Sequence, residues 1–177
     1  PSAHRARRMR KLTIAAIALS LLVGACTTVN RVDAAGDVHA LLIAIRDDDQ
    51  ASFDARVDKE ALKRQLESQL INRARGANTN DSMRALGVFL AGPAADLAGE
   101  ALLRPRVFRT AAAYYGYTPD KPIPGRMAIA GALQPAGGGR VCAKRAKDGP
   151  CLLTFALEDG VWRLVSFDGD PAMLGLR

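Results

Sequence analysis

The sequence predicts an α+β fold, with helices in its first half followed by an antiparallel β-meander. Three observations carry this. Apolar residues recur at helical spacing from Val38 to Tyr115. A stretch with three prolines, Tyr117 to Gly125, then interrupts the chain. After it the period shortens to two, and Asp159-Gly160 stands between two apolar runs as a hairpin turn of the type I′ kind.

The chain has 177 residues. Its first distinctive stretch is Met9 to Cys26, MRKLTIAAIALSLLVGAC. Arg10 and Lys11 form a positive start, and Leu12 to Ala25 is apolar apart from Thr13 and Ser20. That run is short for a bilayer span of roughly 20 residues. It ends in Gly24-Ala25 before Cys26, which is a signal-peptide pattern. Leu22-Val23-Gly24-Ala25-Cys26 resembles the lipobox of bacterial lipoproteins. The resemblance implies that Cys26 is acylated, palmitate included, and becomes the first mature residue. It also implies a lipid anchor in the cell envelope. Thr27, in place of an aspartate, points to the outer membrane facing the periplasm. The residues before Met9 are expected to be an upstream extension, with Met9 as the translation start. The division expected is thus a leader over 1–25, a lipidated tether over 26–36 and one α+β domain over 37–177.

In order, Asp33 or Asp37 is expected to cap the first helix, in which Val38, Leu41, Leu42 and Ile45 form one face. Asp47-Asp48-Asp49 opposes the helix dipole and ends it. Asp48 or Asp49 then caps a short helix holding Phe53 and Val57. Asp58 caps a third, lined by Leu62, Leu66 and Leu70. Arg75 to Ser82 reads as a loop. Leu86 to Leu103 reads as a helix that Pro93 kinks or splits, broken further by Asp96 and Glu100. Pro105 opens another, which Gly116 ends. From Arg126, the alternation of Met127, Ile129, Gly131 and Leu133 predicts a strand, followed by a turn at Pro135 to Gly139. Arg140–Ala143, Cys151–Glu158 and Val161–Phe167 complete the meander. The Asp159-Gly160 turn pairs Leu157 with Trp162, Phe155 with Leu164 and Leu153 with Ser166, on a face expected to be buried.

Charge narrows the function. The formal net charge is +7, but Arg5, Arg7, Arg8, Arg10 and Lys11 all lie in the leader. The remainder, 20 basic against 18 acidic residues, gives no argument for a nucleic-acid partner. Residues 104–147 nevertheless hold nine basic residues against Asp120 alone, a patch for anionic headgroups or an acidic partner, or simply a solvated face.

Catalytic chemistry finds little to stand on. His39 is the one histidine beyond the leader, and there is no G-x-S-x-G elbow. One histidine and two separated cysteines do not make a zinc site. Asp168-Gly169-Asp170 lacks the further ligands of a calcium loop. Asp47–Asp49 reads as a helix-ending charge cluster. No cofactor or metal is expected, and no enzyme. Cys142 and Cys151 are expected to form a disulfide in an oxidising envelope, the alternative being two free thiols.

Ala40 to Leu70, with Asp47–Asp49 and Val57-Asp58, together with the closing CLLTFALEDGVWRLVSF, is similar to a bacterial domain-of-unknown-function family, number 2939, of short envelope proteins. Leu86 to Ala113 fits the middle of that family. The family implies no catalytic residues, and the lipobox and the two cysteines depart from its pattern. The closing strands also resemble those of the cystatin-like, nuclear-transport-factor-2-like α+β cone, in which a curved sheet wraps a helix around an apolar pocket. Two functions follow as expectations. One is a non-enzymatic accessory module that meets an envelope protein. The other is a carrier of a lipid or other apolar ligand between sheet and helix, at Leu86, Phe89, Leu90, Leu97, Phe155 and Trp162.

Overall fold

The computed structural model describes residues 29–76, 81, 99–114, 116–146 and 148–169. The leader, Cys26, and residues 82–98 with Leu86, Phe89, Leu90, Pro93 and Leu97 lie outside them. The architecture is α+β, with helices followed by a four-stranded antiparallel sheet.

Helix α1 covers residues 29–47. It includes residues 29–36, which were expected in the tether. Ala34 and Ala35 are fully buried and begin a stripe that continues through Val38, Leu41 and Ala44. Two alanines give this part of the helix a weak hydropathy signal. Asp33 and Asp37 therefore stand inside the helix and are not its caps.

The helix ends as the acidic triplet predicts. Asp48 is left-handed at φ 58°, and the Asp49 amide reaches back to the Ala44 carbonyl at 2.9 Å. This is the closing bond of a Schellman motif, with aspartate tolerated at the left-handed position. Asp49 then caps α2, Gln50–Asp54, accepting the Ser52 amide at 3.1 Å and its hydroxyl at 2.6 Å. Asp58 caps α3, Lys59–Gly76, through the Ala61 amide at 2.9 Å. The helix runs through Gly76, past Arg75 where a loop was expected.

Val57 is not part of α2. It forms a parallel bridge with Leu164, flanked by Leu164 N–H to Arg56 O at 2.9 Å and Asp58 N–H to Leu164 O at 3.0 Å. Residues 56–58 so cover an edge of the sheet that would otherwise expose unpaired backbone.

Residues 99–102 are helical. Pro105 opens α4, Pro105–Tyr114, where its missing N–H costs nothing. Gly116, at φ 85°, turns the chain out, and the Tyr117 amide bonds Ala112 O at 2.9 Å.

Residues Arg126–Ala132 form helix α5, not the expected strand. The alternation of Met127, Ile129 and Gly131 fits a period of two, but the positions between are mostly alanine, the best helix former. In the helix, Ile129 and Ala130 are buried, while Met127 is 76% exposed. A strand would have put Met127 and Ile129 on one face.

The sheet order is β1 (Leu133–Pro135), β2 (Val141–Lys144), β3 (Cys151–Glu158), β4 (Val161–Phe167). Asp159 and Gly160 both take positive φ, 50° and 81°, as a type I′ turn requires. Leu157 opposes Trp162 and Phe155 opposes Leu164, as expected. Leu153, however, opposes Phe167 and not Ser166. The register shifts between Thr154 and Phe155, leaving Val165 as the extra residue of a β-bulge. Phe155, Trp162 and Leu164 are buried on the expected face, but Leu157, beside the turn, is 53% exposed.

The helices are locked to this sheet by polar contacts. The Asp33 carboxylate accepts the Trp162 indole N–H at 2.8 Å. One turn on, Asp37 accepts the Trp162 backbone N–H at 3.0 Å and lies 3.5 Å from the Arg56 guanidinium. From α3, the Gln65 side-chain amide accepts Phe167 N–H at 2.9 Å and donates to Phe167 O at 3.2 Å. It acts as a substitute strand at the end of β4.

Trp162 is the chain's sole tryptophan, so its emission reports on this contact alone. Asp33→Ala leaves a buried indole N–H unpaired and lowers stability by about 1–3 kcal/mol, whereas Asp33→Asn keeps an acceptor and loses less. Urea unfolding followed by Trp162 emission measures both. The α2 cap gives a pH signature. The Ser52 hydroxyl, and then its amide, hold the Asp49 carboxyl below the ordinary carboxylate range. A lowered folded value gives stability that is present above the unfolded value, about 3.9, and lost as pH falls through the folded one. Urea midpoints of wild type and Asp49→Asn are expected to differ at pH 7 and to converge near pH 2.

Candidate functional site

The row of paired residues that crosses all four strands is Leu133, Ala143, Leu153 and Phe167. All four line one half-open cavity of about 690 Å³. That size falls among small-molecule pockets, commonly about 300–1,000 Å³. Phe167 joins this floor only because the Val165 bulge moves it opposite Leu153.

Three helices and one linker make the walls. Val38, Leu42 and Ile45 of α1 face the cavity at i, i+4 and i+7. From α4 come Phe108, Ala111 and Ala112, and from α5 Ala128, Ile129 and Ala132. Phe108 stacks edge-on against core Phe53 at 5.1 Å and tilts over Phe167 at 6.0 Å, which ties wall to floor.

The linker 117–125 closes one side with Pro119, Pro122, Ile123 and Pro124. Prolines suit this place because they restrict the backbone without leaving N–H groups to satisfy. Two contacts pin it. His39 Nδ1 lies 3.0 Å from the Pro124 carbonyl, so this nitrogen carries the proton and donates. Lys121 Nζ donates to the Gly116 carbonyl at 2.5 Å. The Asp120 carboxyl is held below its ordinary range by the Thr118 hydroxyl first, then by its own N–H, with the Lys121 charge adding.

The expected ligand residues fare differently. Phe155 lies in the cavity lining. Trp162 is buried in the core beside it, fixed by Asp33 and Asp37, and is not part of the lining. Leu86, Phe89, Leu90 and Leu97 lie outside the described residues. Among the described residues, the helices facing the sheet across the cavity are α1, α4 and α5. Sequence reasoning missed the whole roof, 117–124, by treating it as a linker. The signal available was its four apolar residues, Pro119, Pro122, Ile123 and Pro124, in a stretch with only two charges.

No group of three His, Cys, Asp or Glu side chains among the described residues is placed to hold a metal. Asp168 accepts from Gln65 Nε2 at 2.8 Å, a structural use. Of the expected basic patch, Arg106 pairs with Asp48 at 3.1 Å, and Arg109 donates to the Arg46 carbonyl at 3.1 Å. No helix among them is long and apolar enough to cross a membrane.

Cys142 and Cys151 form a disulfide between β2 and β3, with Cα atoms 5.6 Å apart. It closes the 145–150 connection beside the lining residues Lys144, Arg145 and Leu152. Reducing it is expected to lower stability by about 2–3 kcal/mol through loop-closure entropy. Urea midpoints with and without reductant measure this, with Cys142→Ser/Cys151→Ser as the reductant-insensitive control.

The expectation of family membership is met. Neither a curated protein nor a solved structure matches the chain, so the likeness to the cystatin-like cone rests on the closing strands alone. The family match begins in the apolar run before Cys26 and ends within α4, so it spans α1 to α3 and leaves α5 and the sheet outside. With residues 17–111 matched by the model described as "Protein of unknown function (DUF2939)", the chain belongs to that family.

Proposed function

We propose that this protein is a lipoprotein of the bacterial cell envelope, anchored through acylated Cys26, whose single domain binds an apolar ligand without catalysing a reaction. The observation that carries the ligand reading is the cavity of about 690 Å³, walled by aliphatic, aromatic and proline side chains over a four-residue apolar floor. Ligand pockets of this kind gain affinity by removing apolar ligand surface from water. The anchor reading draws on Leu22 to Cys26 and places the domain beside a source of such ligands. Two or more acyl chains hold a protein at a membrane stably where one does not.

A second reading, an accessory module docking on an envelope protein, draws on Met127, Tyr117 and Leu157, large apolar side chains left in water. Two measurements test the proposal. Labelled palmitate fed to a bacterial host should enter the protein and be lost in Cys26→Ser. Native mass spectrometry of the full chain from host membranes should show added mass matching a lipid beyond the covalent acyl groups. A protein free of added mass that crosslinks to one envelope protein would favour the accessory reading.

A further inference from the structure

We propose that the cavity takes a long-chain fatty acid, with the chain on the apolar floor and the carboxylate at a cationic rim. This rests on the apolar-ligand reading above and adds the length and the charge of the ligand. The floor row crosses four strands, roughly 14 Å at the usual strand spacing, so a sixteen-carbon chain lies on it bent rather than fully extended, within the cavity of about 690 Å³. The charge comes from the lining itself. Arg46, Arg109, Lys121, Lys144 and Arg145 all take part in it, and among the described residues no aspartate or glutamate does.

These five cations are not equally available. Arg46 is committed to Asp47 at 2.7 Å. Lys121 holds the Gly116 carbonyl and shares its charge with Asp120. Arg109 donates one bond to a backbone carbonyl, which leaves its charge uncompensated. Lys144, at the end of β2, is exposed. Neither Arg109 nor Lys144 has a carboxylate partner among the described residues. Several like charges beside an apolar wall raise the local positive potential, and an anion relieves it. A neutral ligand would gain nothing from this rim, and a cationic one would be repelled. Asp47 and Asp120 stand outside the lining and offset Arg46 and Lys121, so the anion is left to Arg109 and Lys144.

The test compares palmitate with hexadecan-1-ol, which has the same chain length and no charge. Native mass spectrometry of the full chain, released from micelles of an uncharged sugar-headed detergent, reads the affinity of each. Palmitate is expected to bind at least about tenfold tighter at low salt, where rim charges are least screened. In Arg109→Gln/Lys144→Gln that preference should shrink to about twofold, through weaker palmitate binding with hexadecanol unchanged, since each exposed charge contributes modestly. Retained hexadecanol binding also shows that the variant is folded. Equal binding of the two ligands by the wild type would overturn the anionic rim and leave the apolar-ligand reading standing. Binding of neither would overturn both. A palmitate preference that survives the double substitution would overturn the assignment to these two cations.

Discussion

The structure depends on how α1 holds Trp162. Two carboxylates one helical turn apart, Asp33 and Asp37, take the indole N–H and the backbone N–H of the same residue. Trp162 is 2% exposed and the largest side chain in the core. Its N–H cannot be buried without an acceptor except at a cost of kilocalories. Supplying both acceptors from one helix fixes that helix in position and rotation over the hairpin. The rest follows from that placement. Ala34, Ala35, Val38 and Leu41 are directed into the core, and Leu42 and Ile45 onto the cavity.

The cavity persists because small residues face one another where large ones would close it. Ala111 and Ala112 on α4, Ala128 and Ala132 on α5, and Ala143 at the middle of the floor row all line it. Close packing is the rule in protein interiors. Here the packed part of the core, around Phe53, Phe155, Leu164 and Trp162, lies next to the space and gives it rigid walls. The proline-rich roof adds stiffness without adding secondary structure.

Much of this was legible locally. Asp49 and Asp58 are caps, Pro105 and Gly116 bound a helix, and Asp159-Gly160 makes the turn, because each acts on backbone groups within a few residues. The disulfide followed from having two cysteines to pair. Helix α5 was misread because a seven-residue stretch alternating with alanine satisfies both periods. The start of α1 was missed because alanine buries well but scores weakly. The Trp162 contacts and the Gln65 clamp join residues more than a hundred positions apart, and no local pattern announces them. A trace did exist, in that Asp33 and Asp37 stand one turn apart beside the buried residues Ala34, Ala35 and Val38. The proposed lipid anchor rests on the sequence pattern of residues 9–26 alone, which lie outside the described residues. The cavity itself was anticipated as a space between sheet and helix; the helix named for it, Leu86 to Leu102, lies largely outside the described residues, and α1, α4 and α5 are the helices seen to line it.

The bulge at Val165 has a bearing on how this hairpin tolerates length changes. Strand β4 carries one residue more than β3 needs, and that surplus decides which side chains after Leu164 reach the floor. Deleting a single residue between Leu164 and Phe167 would restore an uninterrupted ladder, a better sheet by the standards of hydrogen bonding. The same deletion would keep Phe167 opposite Leu153 and on the apolar floor, whereas a regular ladder with every residue retained would put Ser166 there and turn Phe167 to the other face. The bulge thus absorbs a surplus residue, and the strand is expected to tolerate the loss of that residue better than the gain of another, which would have no place in the register.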